Sequence, residues 1–139
     1  MGGQAVSGDA LAAAFESALT GFTVYTDKVP ASPSLPYVFV LASFPAVGGR
    51  SATRRVQFRQ LRVRTVVVGP SSRSVRIVAE KLSQALEGKR LTVPGWTLGA
   101  IESEPNSQPI QPDNDVTIPG TSDHPLYQPF DWILTGSET

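Results

Sequence analysis

The chain begins with a pattern of apolar residues that predicts an α-helix from about Asp9 to Thr20. Asp9 is placed to act as the N-cap, the body is rich in alanine, and Gly21 follows as a C-terminal stop. The residues expected on its buried face recur at helical spacing: Leu11, Phe15, Ala18 and Leu19. Residues 1–8, before this helix, are expected to form a flexible N-terminus.

A second helix is predicted up to about Glu87, where apolar residues form an amphipathic stripe. Ser72 or Ser74 can cap its start, and Gly88 can end it. The stripe consists of Val75, Val78, Leu82, Ala85 and Leu86. This spacing gives the helix one face for a core and one for solvent.

The strands predicted between the helices differ in character. Phe22–Thr26 is β-branched and aromatic and predicts a short strand, after which three prolines in residues 27–36 prevent regular structure. The apolar run Tyr37–Phe44 is typical of a central strand that is covered on both faces or lies at a subunit interface. Its predicted partner is Val56–Val68, reached through Pro45–Arg55, a long connection rich in Gly, Ser and Arg. We therefore expect a long β-hairpin with a basic tip.

The C-terminal third alternates strand patterns with a proline-rich segment. Residues 91–93 and 96–102 indicate two strand pieces, and residues 126–135 recover strand character, with Pro129 indicating an edge or a bulge. Residues 105–125 hold five prolines and few apolar side chains, so we expect an irregular loop or arm there. The order of elements predicts a single α+β domain in which both helices pack on an antiparallel or mixed sheet.

Composition is consistent with one folded domain over residues 1–139, because the apolar share of 40% together with the 12 glycines is near the globular average. The chain has no cysteine, which excludes disulfides and thiolate metal sites and fits a reducing compartment. No apolar run approaches the roughly 20 residues that a membrane-spanning helix needs, so we expect no membrane partner.

The charges separate along the sequence although the formal net charge is zero. No carboxylate lies between Lys28 and Glu80, and no lysine or arginine follows Arg90. The cationic set, a candidate interface toward a neighbouring subunit, a tube or DNA, is Arg50, Arg54, Arg55, Arg59, Arg62, Arg64, Arg73 and Arg76. The candidate acidic counter-surface is Glu102, Glu104, Asp113, Asp115, Asp123 and Asp131. Such a split favours an electrostatic partner, either another polymer or a second copy of the chain.

Candidate catalytic and ligand-binding motifs are weak. His124 is the single histidine and precedes a proline, a pattern more typical of a capped turn than of a catalytic base. Residues 113–115 resemble the start of a calcium loop but lack its glycine and distal glutamate, and Gly48–Ser51 lacks the lysine and spacing of a P-loop. We therefore predict no catalytic, cofactor-binding or metal-binding residues and no enzyme activity.

The arginines leave two interpretations open. Guanidinium groups pair with phosphates and stack on bases, which would suit a nucleic-acid-binding module. The alternative is a cationic protein interface or a solvated strand face, because the acidic third would oppose nucleic acid unless it lay on another surface. Arg73 and Arg76 fall in the predicted first turn of the second helix, where cations oppose the helix dipole, although Glu80 can offset part of this for Arg76. That placement suggests a role outside the helix.

The order of the segments also carries a resemblance to a known family. The chain contains in succession TVYTDKVP, LPYVFV, QLRVRTVVVG, VRIVAEKLSQALEGKRL and VPGWTLGAIESE. With this order and spacing, residues 9–104 and the last strand resemble the tail terminator, or tail completion, proteins of long-tailed bacteriophages. Residues 105–125 depart from the usual pattern of that family.

The resemblance implies a structural virion protein of the tail or neck, assembled in the host cytoplasm. Such subunits form a ring, commonly a hexamer, that caps the tail tube, stops its polymerisation and offers a surface to the head. The implied partners are further copies of the chain, the tail tube protein and the head-tail connector protein, while genomic DNA could pass through the lumen without sequence-specific binding. Another neck component, such as a head closure or connector protein, remains an alternative.

Ring formation agrees with the charge split. Neighbours in a ring meet through two different surfaces, and opposite charges on those surfaces favour closure over like-to-like pairing. The basic hairpin and the acidic third are the expected pair of surfaces.

Overall fold

The elements of the fold follow the predicted order. The computed structural model describes residues 8–31, 33–42, 59–104, 108–118 and 120–138. Its elements are α1 (Gly8–Ala18), β1 (Val24–Tyr25), β2 (Tyr37–Ala42), β3 (Arg59–Gly69), α2 (Ser72–Leu86), β4 (Trp96–Leu98), β5 (Glu102–Ser103), β6 (Gln111–Pro112) and β7 (Leu126–Glu138). Two helices and a mixed sheet form a single α+β domain, which confirms the predicted fold class.

Helix α1 has the predicted buried face but a different start. Leu11, Phe15 and Leu19 are each at most 2% exposed. The helix already includes Gly8, so Asp9 lies in its first turn and the prediction of Asp9 as N-cap is wrong. In the first turn, the negative charge of the Asp9 carboxylate still interacts favourably with the positive end of the helix dipole. Gly21 follows the helix with a φ of +86°, as expected for a stop.

Helix α2 also matches its predicted stripe. The hydroxyl of Ser71 accepts a hydrogen bond from the backbone N–H of Ser74 at 3.1 Å, so Ser71 is the N-cap in place of the predicted Ser72 or Ser74. Gly88, with a φ of +77°, follows the end of the helix. The residues of the stripe are fully buried at Val75, Leu82 and Leu86 and half-buried at Val78 and Ala85.

The sheet is organised around β3 and β7. These two strands pair antiparallel from Arg59 opposite Gly136 to Gly69 opposite Leu126. Beyond β3 lie β2 and then β1, which is parallel to β2, while β4, β5 and β6 all pair with the other edge of β7. The prediction that Tyr37–Phe44 is central agrees with its described part, β2, which is an interior strand between β1 and β3, although β1 is only two residues long. The antiparallel pairing of β2 with β3 agrees with the predicted hairpin, whose tip lies outside the described residues.

The helices cover one face of the sheet, here called the inner face. Val38 and Val40 of β2 point into this core and are fully buried, whereas Leu41 points away and is 42% exposed. The opposite face, here called the outer face, carries the alternate residues of each strand. Tyr37, Phe39, Leu41, Arg62, Arg64, Asp131 and Ile133 belong to it. The apolar run of β2 is thus covered by the helices on one side only.

Polar atoms on the inner face are hydrogen-bonded. Trp132 is 2% exposed, and its indole N–H donates to the hydroxyl of Thr65 at 2.9 Å. The hydroxyl of Thr65, which is fully buried, donates in turn to the carbonyl of Phe130 at 3.4 Å. Strands β3 and β7 are therefore joined by side chains as well as by their backbone.

Pro129 occupies a position of β7 that tolerates a missing N–H. Asp131 directs its carbonyl away from β3, where it accepts from the N–H of Glu104 at 2.9 Å. Pro129 lies two residues before Asp131, so its backbone nitrogen also faces away from β3. At this position the nitrogen faces the gap between β6 and β5. The prediction that the strand starts at an edge or a bulge is wrong, since Leu126 and Tyr127 pair with β3 on one side and with β6 on the other. Pro129 is tolerated because it lies at the gap before β5.

Candidate assembly surfaces

Two predicted arginines are paired with predicted acids on the outer face of the same subunit. Arg64 donates from Nε and Nη2 to both carboxylate oxygens of Asp131, at 2.7 and 2.9 Å. Arg62 Nη2 lies 2.8 Å from Glu104 Oε1. The register of β3 against β7 produces the first pair, since Arg64 is directly opposite Asp131. These four residues offset each other's charge within one chain.

The two ion pairs differ in their exposure to water. The side chain of Asp131 is 9% exposed, and its hydrogen bonds with Arg64 lower the pKa of its carboxyl below the ordinary value. The Arg62 side chain is 58% exposed and that of Glu104 is 21% exposed. We therefore regard Arg64–Asp131 as the stronger pair and Arg62–Glu104 as the weaker one.

The remaining arginines of the predicted set lie in different places. Arg73 is exposed in the first turn of α2 and Arg76 is exposed just after that turn. The predicted contact of Arg76 with Glu80 is not an ion pair in the structure. Arg59 begins β3. Arg50, Arg54 and Arg55 lie outside the described residues. The proposed contact of the basic hairpin tip with a neighbour thus stays a prediction.

The remaining predicted acids belong to two regions. Glu102 is exposed on β5 at the edge of the sheet. Asp113, Asp115 and Asp123 lie on a compact projection before β7, here called the lobe and defined as residues 113–118 and 120–125. Asp113 Oδ1 accepts from the N–H of Asp115 at 3.3 Å, while Asp115 and Asp123 are exposed.

The lobe is more regular than the irregular arm expected from its prolines. The N–H of Asp113 donates to the carbonyl of Pro125, and the N–H of Ile118 donates to that of Asp123, both at 2.8 Å. The imidazole Nδ1 of His124 lies 2.6 Å from the carbonyl oxygen of Val116, which ties the two sides of the lobe together. His124 therefore has a turn-closing contact, the role that its sequence context favoured.

The segment that leads into the lobe is attached to strand β7. The amide of Gln128 donates to the carbonyl of Gln108 at 2.7 Å, and the hydroxyl of Tyr127 donates to Gln111 Oε1 at 3.3 Å. Burial, with a further contribution from the nearby Asp113 carboxylate, raises the pKa of Tyr37. Backbone pairing and side chains together hold the lobe in one position.

Among the residues that the structure describes, three large apolar side chains are exposed, on different parts of the surface. Leu41 on the outer face is 42% exposed, Ile77 on α2 is 45% exposed and Val116 on the lobe is 47% exposed. Single exposed apolar residues are common, so each needs a further observation before it indicates a contact. Sequence patterns did not single out any of the three as a surface residue.

A groove lies between α1 and residues 89–94 and has a volume of about 760 Å³. Its lining combines small or apolar residues, among them Ala13, Ala14 and Leu91, with the basic residues Lys89 and Arg90. Arg90 Nη1 donates weakly to the carbonyl of Leu98 at 3.5 Å. The sequence analysis did not include Lys89 and Arg90 in the cationic set, because they lie outside the arginine-rich stretch and only the fold brings them beside α1.

The described part of the chain holds neither a cluster of metal-ligating side chains nor a membrane-spanning helix. Within those residues, no group of three or more histidine or acidic side chains is placed to hold a metal ion. No helix there is long and apolar enough to span a bilayer.

Comparisons with known proteins show a shared fold. No family model matches the chain, and no curated protein sequence does. A chain of the native gene transfer agent virion particle is 17% identical, with a TM-score of 0.59, over 94% of this chain and 95% of its own. A second solved structure is 20% identical, with a TM-score of 0.54, over 93% of this chain and 96% of its own. The likeness extends over nearly the whole of each chain.

Proposed function

We propose that this protein is a virion structural protein without enzyme activity, and specifically a tail terminator. Its subunits assemble into a ring, of about six copies in the family that the sequence resembles, which caps the tail tube and stops its polymerisation. The ring also offers the surface to which the head-side connector attaches. Its place is the tail or neck of the virion.

The observation that carries this proposal is the matching fold of a chain from a gene transfer agent virion, which spans both chains almost completely. The resemblance of residues 9–104 to tail terminators points independently to the same class of particle. A fold can host many functions, so the likeness supports a virion role only together with an assembly surface.

The outer face of the sheet supplies such a surface. It has no helix on it in the described part of the chain, and it combines half-exposed Tyr37 and Phe39 with Leu41 and the two ion pairs. Protein interfaces commonly combine an apolar or aromatic centre with paired charges. This arrangement suits contact with a protein better than contact with nucleic acid, which needs a uniformly cationic surface.

The test is a capping experiment with the purified protein and purified tail tubes of the same phage. Mass in solution and electron microscopy should show rings of about six subunits, free or at tube ends, and added protein should stop tube growth. Protein that leaves the ends bare and growth unchanged would contradict the terminator role. DNA affinity that falls steeply with salt, without capping, would support the nucleic-acid-binding alternative.

A matched pair of variants tests the outer face. Leu41→Glu places a charge on this face, and Ile77→Glu places one at a similarly exposed position on α2. We expect Leu41→Glu to reduce capping at least about tenfold with an unchanged unfolding free energy, because it replaces an apolar contact group by a charged one. Equal capping by both variants would exclude the outer face from the assembly contact.

A further inference from the structure

The lobe presents an apolar tip surrounded by negative charge. Val116 is 47% exposed and lies next to Asp115 in the chain. Asp123 is exposed on the opposite side of the lobe. Neither aspartate forms an ion pair within the described part of the chain. The lobe therefore exposes an apolar contact and uncompensated acidic groups together.

The shape of the lobe is set before any contact is made. Backbone hydrogen bonds join Asp113 to Pro125 and Ile118 to Asp123, and His124 is bonded to the carbonyl of Val116. A surface held in its binding shape loses less conformational entropy on association than a free segment does. The lobe thus has the properties of a preformed docking element.

The groove beside α1 has the opposite character. Its floor is formed by small and apolar residues such as Ala13, Ala14 and Leu91, and Lys89 and Arg90 lie along it. No acidic residue lines it among the residues that the structure describes, and neither basic residue forms an ion pair there. The apolar floor and the positive charges of the groove are complementary to the apolar tip and the negative charges of the lobe.

The positions of the two surfaces require that they meet between copies. The lobe joins β7 at Leu126, whereas Arg90 contacts Leu98, which pairs with Gly136 of the same strand. Ten residues of a strand separate these points, roughly 30 Å at the usual rise per residue. No lobe residue lines the groove of its own subunit. Two complementary surfaces at separate places on one molecule generate a head-to-tail contact, which closes into a ring when the rotation allows it.

We propose that the lobe of one subunit docks into the groove between α1 and residues 89–94 of the next subunit, with Val116 on the apolar floor and the aspartates facing Lys89 and Arg90. This inference rests on the proposed ring and names the contact that closes it. It also gives residues 113–118 and 120–125, which lie in the segment that departs from the tail terminator pattern, a function in assembly.

Disulfide trapping tests this contact directly, because the chain has no cysteine of its own. Val116→Cys protein is mixed with Thr92→Cys protein, whose new thiol lies in the groove, under mild oxidation and with tail tubes present. The matched control replaces Thr92→Cys by Ile77→Cys, which lies outside the groove and is 45% exposed. We expect at least about tenfold more linked dimer with Thr92→Cys than with the control, since docking raises the local thiol concentration.

A charge exchange provides a second measurement on the same assembly. Lys89→Glu alone should weaken ring formation, and so should Asp115→Lys alone. A protein carrying both changes should recover at least part of the loss, because opposite charges then face each other again. A purely structural defect in either variant would not be repaired by the other.

The outcomes separate this inference from the proposed function. Rings or capped tubes without the selective cross-link, and without an effect of Lys89→Glu, would overturn the lobe-and-groove contact while leaving the terminator role intact. Absence of rings and of capping in the unmodified protein would overturn both. Selective cross-linking together with charge rescue would support both.

Discussion

The inner and outer faces of β3 and β7 use neighbouring residues of the same strands for different purposes. On the inner face, Thr65 and Trp132 are buried and bonded to each other. On the outer face, Arg64 and Asp131 are bonded as well, yet the arginine remains 43% exposed. A buried polar group that loses its partner is costly, whereas an exposed charge can turn to water. The inner face therefore contributes most to stability, whereas on the outer face the exposed Arg62 can change partners at little cost to the fold.

Replacement of Trp132 by alanine should give the largest effect. The side chain is large, 2% exposed and packed in the core, so the variant loses buried area and leaves a cavity. We expect a loss of about 3–5 kcal/mol in the free energy of unfolding, measured by denaturant titration. Leu41→Ala on the outer face is the control, with an expected change within about 1 kcal/mol. Equal losses for the two variants would contradict the assignment of the faces.

Replacement of Thr65 by valine tests the polar contact on the inner face without a large change in volume. The indole N–H of Trp132 would lose its acceptor in a buried site. We expect a loss of about 1–3 kcal/mol. Trp132→Phe removes the indole donor. Thr65→Val should therefore cost less in the Trp132→Phe background than in the wild type. Additive losses in this double-mutant cycle would show that the hydrogen bond contributes nothing measurable.

The pattern of apolar residues predicted most of the inner face. Helical spacing identified Leu11 and Phe15 of α1 and the buried stripe of α2, because the residues that meet the core must recur once per turn. The same pattern left two readings open for β2, coverage on both faces or a place at a subunit interface, and the structure covers only one face within the subunit. A single sequence does not distinguish a side chain buried in its own subunit from one reserved for a partner.

The outer face was harder to predict because its contacts depend on strand register. Arg64 and Asp131 are 67 residues apart in the chain and meet only because β3 and β7 pair as they do. Local composition separated the basic middle of the chain from its acidic end and suggested two opposed surfaces. The fold instead brings two members of each set together and leaves Lys89, Arg90 and the acids of the lobe uncompensated. The N-cap of α2 was missed by one residue for Ser72 and by three for Ser74, since several serines near Ser71 compete for the same role.

Asp131→Asn should have an intermediate effect that depends on pH. Because the folded-state pKa of Asp131 is lowered, its charged form stabilises the protein above the ordinary pKa, and this contribution is lost as the pH falls through the folded value. We expect the variant to lose about 1–2 kcal/mol at neutral pH. The difference in unfolding free energy between wild type and variant should shrink below about pH 4, where the carboxyl begins to be protonated in the unfolded chain. A difference that is constant across this range would contradict a charge-assisted bond with Arg64.

Arg62→Ala should have the smallest effect of the four. Its side chain is 58% exposed, so its pairing with Glu104 competes with water and with the entropy of a long side chain. We expect a loss of at most about 0.5 kcal/mol, which roughly 1 M salt should abolish by screening. A double-mutant cycle with Glu104→Ala isolates the pair, and the backbone bond of Glu104 to Asp131 is retained in that variant. A coupling energy as large as that between Arg64 and Asp131 would show that exposure to water does not determine the strength of the ion pairs on the outer face. A small coupling combined with a clear loss of tube capping would instead show that Arg62 contributes mainly to assembly, as the comparison of the two faces predicts.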